Sequence, residues 1–184
     1  MRAARAGGVL VSYDGNFRPQ LWARWSDAPG RVLRMLVAEA DLLFGNHRDL
    51  SLLLEKPFSG DGPGRTREAA NAGFAAFPNL RWIASTARQT ACVDEHRLSA
   101  RIDTLAEAFE VTERTIPGVV DRIGTGDAFA AGVLHGLMKG QDAQAAVDQG
   151  LALACLKHSV PGDMTLFGPN ALEAFHLGGM DVRR

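Results

Sequence analysis

The sequence predicts an α/β fold: a mostly parallel sheet with helices on both faces. Short apolar runs without polar alternation, the mark of strands covered on both sides, take turns along the chain with segments of helical apolar spacing. Glycine, proline and asparagine punctuate the joints between them. With 184 residues, 46% hydrophobic and 22% charged, the chain suits one such domain, 1–184, and fits neither a disordered nor a collagen-like polypeptide.

Each element follows from local chemistry. The first eight residues read as the tail of a helix, with two arginines in what would be its last turn and Gly7-Gly8 as a stop, so the chain is expected to open inside a βαβ unit. Val9 to Tyr13 is a β-branched, apolar run and predicts a parallel strand buried on both faces. After a loop from Asp14 to Trp25, Ser26 or Asp27 can cap a helix with Pro29 in its first turn and Val32, Leu33, Leu36, Val37 and Ala40 on one face. Asp41 to Phe44 is a second strand, ended by Gly45-Asn46, and His47 to Glu55 a further helix. The proline- and glycine-rich stretch Lys56 to Arg65 is a loop, Thr66 to Phe77 an alanine-rich helix, and Leu80 to Ser85 a third strand. Thr90 to Asp94 and Leu98 to Ile102 flank Glu95-His96 as a hairpin, and Phe109 to Ile116 is another strand. Gly124 to Leu137, Ala143 to Lys157 and Asn170 to His176 complete the helices, the second stopped by Pro161-Gly162.

Composition excludes several function classes. The net charge of −1 provides no field for nucleic acid or anionic lipid, so no nucleic-acid partner is expected. The longest apolar stretches fall far short of the ~20 residues that cross a bilayer, and the run after Met1 is too short for a secretory signal, which makes a cytoplasmic location the expectation. Cys92 and Cys155 lack metal-site spacing and are expected as buried reduced thiols. The five histidines form no metal-binding motif, so no metal ligands are assigned.

In an open α/β sheet, ligands bind outside the carboxyl ends of the strands, so the loops after Tyr13, Phe44, Ser85 and Ile123 hold the candidates. Asp121-Arg-Ile-Gly-Thr-Gly-Asp127 carries the strongest signal. Small residues at Gly124, Thr125 and Gly126 gather amide groups at a helix start, where free donors and the helix dipole attract an anion. Asp127 beside them can take a proton from a hydroxyl attacking phosphorus; the competing reading is a plain helix cap. Asp14-Gly-Asn-Phe-Arg-Pro-Gln-Leu-Trp22 concentrates amide, carboxylate and guanidinium groups, and Arg18 can grip a carboxylate or phosphate with paired donors. Asn46 is either a phosphate contact or a helix cap, and Lys157-His-Ser-Val-Pro-Gly-Asp163 is a dense polar turn.

Taken together, these segments resemble the PfkB, or ribokinase-like, carbohydrate kinases, and most resemble the branch that phosphorylates 2-keto-3-deoxygluconate. The resemblance rests on Asp121-x-x-Gly124-x-Gly126-Asp127-Ala-Phe-x-x-Gly132, on Gly45-Asn46, on Asp14 to Trp22 and on Lys157 to Asp163. It implies a ribokinase-like fold and transfer of the ATP γ-phosphate to a sugar acid. Asp127 would be the catalytic base, and Gly124, Thr125 and Gly126 the anion hole. A buried Arg18, with Asn16 and Asp163, would contact the sugar acid, and Asn46, Thr86 and Arg88 would lie beside ATP. ATP and Mg²⁺ are the implied cofactors, with a monovalent cation as a further candidate. Ser85-Thr-Ala-Arg-Gln-Thr90 stands where the family has Lys-x-Gly-x-x-Gly, with Arg88 in place of the lysine. The family's amino-terminal strands and β lid have no counterpart in the sequence. The sheet is therefore expected to lack those strands and to expose an edge, which makes a homodimer a candidate assembly.

Overall fold

The computed structural model describes residues 1–60, 62–92 and 95–177. In chain order the elements are α1 (Arg2–Ala6), β1 (Ser12–Asp14), α2 (Pro19–Trp22), α3 (Pro29–Val37), β2 (Leu42–Phe44), α4 (His47–Leu54), α5 (Gly62–Ala76), β3 (Trp82–Cys92), β4 (Glu95–Asp103), β5 (Ala108–Pro117), α6 (Thr125–Met138), α7 (Ala143–Lys157) and α8 (Pro169–His176). The five strands are hydrogen-bonded in the order β1-β2-β3-β4-β5. β1 pairs with β2 and β2 with β3 in parallel, with Ser12 opposite Leu42 and Leu42 opposite Trp82. The links from β3 to β4 and from β4 to β5 are far shorter than the dozen residues a parallel crossover needs, so the sheet is mixed. The α/β expectation holds.

The chain forms two compact units, Met1–Ser85 with Ile102–Ala108, and Thr86–Arg101 with Phe109–Arg184. In the first, Leu43 of β2, Leu33 and Val37 of α3, Leu50 and Leu53 of α4, and Phe74 of α5 close one apolar core. Every residue of β2 is buried, as its unbroken apolar run requires. Arg67 on α5 ties down the turn after β4, donating to the Asp103 carboxylate at 3.0 Å and the Thr104 carbonyl at 2.8 Å. In the second unit, α6 and α7 pack backbone against backbone. A methyl group on Gly132 would lie 2.7 Å from the Cα of Gly150, so small residues set how near the two backbones come.

Several boundaries differ from expectation. β1 begins at Ser12, and Val9 and Leu10 are 58% and 59% exposed, because β1 is the end strand of the sheet and is not covered on both faces. Only Val11 is buried, its amide held at 2.9 Å by the Asp41 carboxylate. Helix α3 is N-capped by Ala28 with no side-chain cap, so neither Ser26 nor Asp27 caps it; the Ser26 hydroxyl accepts from the Ala28 amide instead. Helix α5 begins at Gly62, since proline is tolerated in a first turn where its missing N–H has no intrahelical partner. β3 runs unbroken from Trp82 to Cys92. Glu95 and His96 belong to β4 and not to a turn, and Asp94 lies outside the described residues. Cys92 is exposed at the end of β3, whereas Cys155 is buried as expected; both are free thiols.

Candidate active site

Helix α6 is capped by Gly124, whose φ of +75° lies in the left-handed region that glycine adopts most easily. Ala128, Phe129, Gly132 and Val133 bury one side of the helix, so its first turn is fixed from below. Asp127 sits in that first turn, exposed, and among the described residues its carboxylate has no hydrogen bond or ion pair. It is not the cap, so the capping alternative is set aside.

The amides divide unequally. The Thr125 amide points back to the Arg122 carbonyl at 3.3 Å, and the Thr125 hydroxyl donates to the same oxygen at 2.9 Å. Thr125 therefore helps close the turn and does not leave its amide open. Among the described residues the N–H groups of Gly124, Gly126 and Asp127 have no acceptor. Nothing lies within 4 Å of the position a Gly126 Cβ would take, so the turn is open on that side.

Asp163 is joined to this turn through main chain. A Cβ on Gly124 would lie 2.1 Å from the Asp163 carbonyl oxygen, so the two segments meet backbone to backbone. Asp121 bolts the same pair together. Its carboxylate accepts from the Ile123 amide at 2.9 Å and from the Gly162 amide at 2.9 Å. These backbone donors, chiefly Ile123 and then Gly162, hold its carboxyl below the usual aspartate range. The Asp163 side chain is exposed, and its main chain lies against the turn at Gly124. In the same unit Thr86 and Arg88 lie in β3 rather than in a loop. Two residues apart, they share a face of the strand, and Arg88 is exposed.

The first unit assembles a second group. Asn46 caps α4 in a reciprocal capping box: its side-chain oxygen accepts from the Arg48 amide at 2.7 Å, and its own amide donates to Asp49 at 2.8 Å. The cap reading of Asn46 is thus borne out at the oxygen. The Asp49 carboxyl is pushed up by burial, against the pull of the Asn46 amide. A Cβ on Gly15 would sit 3.1 Å from the Phe44 carbonyl, so the ends of β1 and β2 are pressed together there. Asn16, with φ of +29°, turns the chain away by donating its amide to Asp14 at 3.1 Å. Arg18 then heads the four-residue helix α2. It is exposed and not buried, because so short a helix on a surface loop cannot cover it.

Sequence reasoning missed two features. Asp49 is one; its signal was its place three residues after Asn46, the spacing of a capping box. The other is an apolar cleft in the second unit lined by Ile116, Pro117, Cys155, Leu156, Ser159 and Phe175. Burial pushes the Cys155 thiol up to about 12, so it is a wall of this cleft and not a nucleophile.

The profile of the pfkB family of carbohydrate kinases matches residues 1–168. The chain belongs to that family. The PfkB chain is 29% identical over 179 residues to a 2-dehydro-3-deoxygalactonokinase of Haloferax volcanii, an alignment covering 97% of this chain and 51% of the relative. Among solved structures it superposes on a PfkB family carbohydrate kinase from Listeria grayi with a TM-score of 0.85 at 29% identity, covering 96% of this chain and 52% of that one. A 2-dehydro-3-deoxygluconokinase from Thermotoga maritima gives 0.84 at 25% identity, covering 94% and 51%. The PfkB chain thus spans about half the length of the relatives it matches. Among its described residues no helix is long and apolar enough to cross a membrane, and no three His, Cys, Asp or Glu side chains cluster to hold a metal ion.

Proposed function

We propose that this chain takes part in ATP-dependent phosphorylation of a sugar acid, converting 2-keto-3-deoxygluconate to its 6-phosphate. The observation that carries the reading is Asp127, exposed and unpaired in the first turn of α6 beside the open amides of Gly124 and Gly126. The relatives from Haloferax and Thermotoga are both named as kinases of 2-dehydro-3-deoxy sugar acids, which supports the substrate class.

In this reading the open amides and the positive end of α6 stabilise the charge that spreads over the migrating phosphoryl group. The sugar hydroxyl attacks the γ-phosphorus and the bond from that phosphorus to the bridging oxygen breaks. ADP leaves with the electron pair, and the hydroxyl proton passes to the Asp127 carboxylate. The transition state is loose, so Asp127 needs position more than strong basicity. Mg²⁺, held mainly by phosphate oxygens and water as is usual for this ion, would supply further charge neutralisation. Arg18 would grip the substrate carboxylate with paired donors, its exposure making it reachable, while Asn16 and Asp163 contact the sugar. Asn46, through its amide nitrogen, with Thr86 and Arg88, would serve the nucleotide. The apolar cleft along Ile116, Pro117 and Cys155 suits a flat base.

A second reading, nucleotide binding without turnover, is favoured by one observation: Thr86 and Arg88 sit in a strand and not in a glycine-rich loop. ADP release measured with 2-keto-3-deoxygluconate, fructose and ribose, beside calorimetry with ATP, separates the two. Turnover of the acid that disappears in Asp127→Asn supports the kinase. Binding of both ligands with no ADP formed supports the second reading, and turnover of fructose but not the acid overturns the substrate assignment.

A further inference from the structure

His158 closes α7 and is wholly buried, at 0% exposure. Its Nδ1 lies 2.7 Å from the Ala154 carbonyl oxygen. A carbonyl only accepts, so Nδ1 carries the proton and Nε2 keeps its lone pair. That Nε2 is buried without a partner. The His96 ring of β4 faces it at 5.7 Å in an edge-on arrangement, and the His96 Nδ1 is likewise buried and unpartnered. The charges acting on the ring are positive: Arg88 from β3 and Lys157 from α7. Asp121, whose amide meets the His158 carbonyl, has its carboxylate committed to the Ile123 and Gly162 amides. A proton on Nε2 would thus add a donor with no acceptor, in a dry site among like charges.

The main chain of the same residue does separate work. The His158 carbonyl accepts from the Val120 amide at 2.9 Å and the Asp121 amide at 3.3 Å, at the point where the chain enters the anion turn. We propose that His158 is a positioning residue that seats the anion turn through its carbonyl, and that it does so only while its ring is neutral. Protonation expels the ring, the carbonyl moves with it, and the turn carrying Gly124 and Gly126 loosens. The effect on phosphoryl binding rests on the kinase reading; the loosening itself does not.

Burial first, then His96, Arg88 and Lys157, pull the His158 pKa below the ordinary histidine value of 6.5, while the Ala154 bond alone opposes them. The unfolded chain binds the proton near 6.5 and the folded chain resists it, so stability falls as pH drops below that value.

The test is amide hydrogen exchange of residues 118–127, corrected for intrinsic rates, at about pH 7.5 and about pH 5.5, with ATP binding followed by calorimetry in parallel. Protection of the segment should drop on acidification by up to about tenfold, ahead of the α6 and α7 core, a change of up to ~1.4 kcal/mol in local opening. His158→Gln keeps a donor for the Ala154 carbonyl but does not titrate, and should hold protection within about twofold across the same range. Equal pH dependence in His158→Gln and the parent chain overturns the proposal, as does acid protection that falls only with global unfolding. If the variant does not fold, ¹⁵N-histidine NMR of the parent decides: the Val120 amide must shift along the same titration curve as the His158 ring, and independent curves overturn the proposal. Protection that behaves as expected in a chain that does not bind ATP would sink the kinase reading alone. ATP binding with pH-independent protection would sink this proposal alone.

Discussion

Gly124 and Gly126 differ by two positions, yet the structure assigns them opposite reasons for being glycine, and alanine at each separates folding from ligand binding. At Gly124 an alanine meets two obstacles. The left-handed backbone at φ +75° costs a residue with a Cβ ~1–2 kcal/mol. The Cβ would also stand 2.1 Å from the Asp163 carbonyl oxygen, far inside the 3.0 Å that real contacts respect, so main chain must move. Overpacking of this kind costs ~1–3 kcal/mol, giving about 2–5 kcal/mol for Gly124→Ala. At Gly126 the Cβ meets nothing within 4 Å and the backbone is helical, so alanine should stabilise the helix by about 0.5–1 kcal/mol. The new methyl group occupies open space on the turn that carries the free amides, however, and ATP affinity should fall on the order of tenfold or more if an anion crowds against this residue as it binds them. Thermal or urea unfolding beside calorimetry reads both effects. Gly126→Ala that is no less stable but binds ATP poorly supports the cradle. Unchanged ATP affinity in Gly126→Ala would refute it, since open space would then have no ligand to account for it.

Three further outcomes follow from the same geometry. Asp127→Asn should cut turnover of the sugar acid by about 10²–10⁴ while changing stability by no more than about 1 kcal/mol, because the side chain contributes only its interaction with the helix dipole; steady-state ADP release and melting check it. Arg18→Ala should leave folding within about 0.5 kcal/mol, as the side chain is exposed, yet raise KM for the acid about ten- to a hundredfold and leave neutral sugars untouched. Asp49→Asn retains an oxygen for the Asn46 amide without burying a charge. The raised Asp49 carboxyl favours folding at low pH and loses that contribution as pH rises past the ordinary value of 3.8, so the Tm of the variant should gain on the parent as pH rises from below that value to neutrality. A gap that narrows over that range contradicts the assignment.

What the sequence disclosed depended on how local the cause was. Helix α7 is bounded as expected because both ends are set within a few residues: the Asp142 side chain accepts from the Ala145 amide, and apolar spacing persists to Lys157. The stretch of β3 from 86 to 89, between the two runs read as strands, escaped because residues 87–89 are all exposed, and alternation betrays a strand only where one face is covered. Val9 and Leu10 misled for the opposite reason: apolar character marks a strand only if a neighbour arrives to cover it, and β1 is the end strand. At the site, the composition of Gly124 to Asp127 announced a tight turn opening a helix, but which amides stay open depends on where the Arg122 carbonyl points, a matter of one dihedral angle.

The contacts that hold this turn in place were beyond the reach of any local pattern. Asp121 with Gly162, Gly124 with Asp163, and the His158 carbonyl with Val120 each join residues some forty positions apart or nearly so, and each is made by main chain on at least one side. Main-chain partners leave no residue-type signature, so the sequence names the pieces of the turn without naming its clamp. The clamp also explains why Pro161-Gly162 is more than a helix stop: the Gly162 amide is a ligand for Asp121, and proline at that position would remove the donor. A Gly162→Pro chain that kept the turn as well protected from exchange as the parent would show that the Asp121 bond does not hold it.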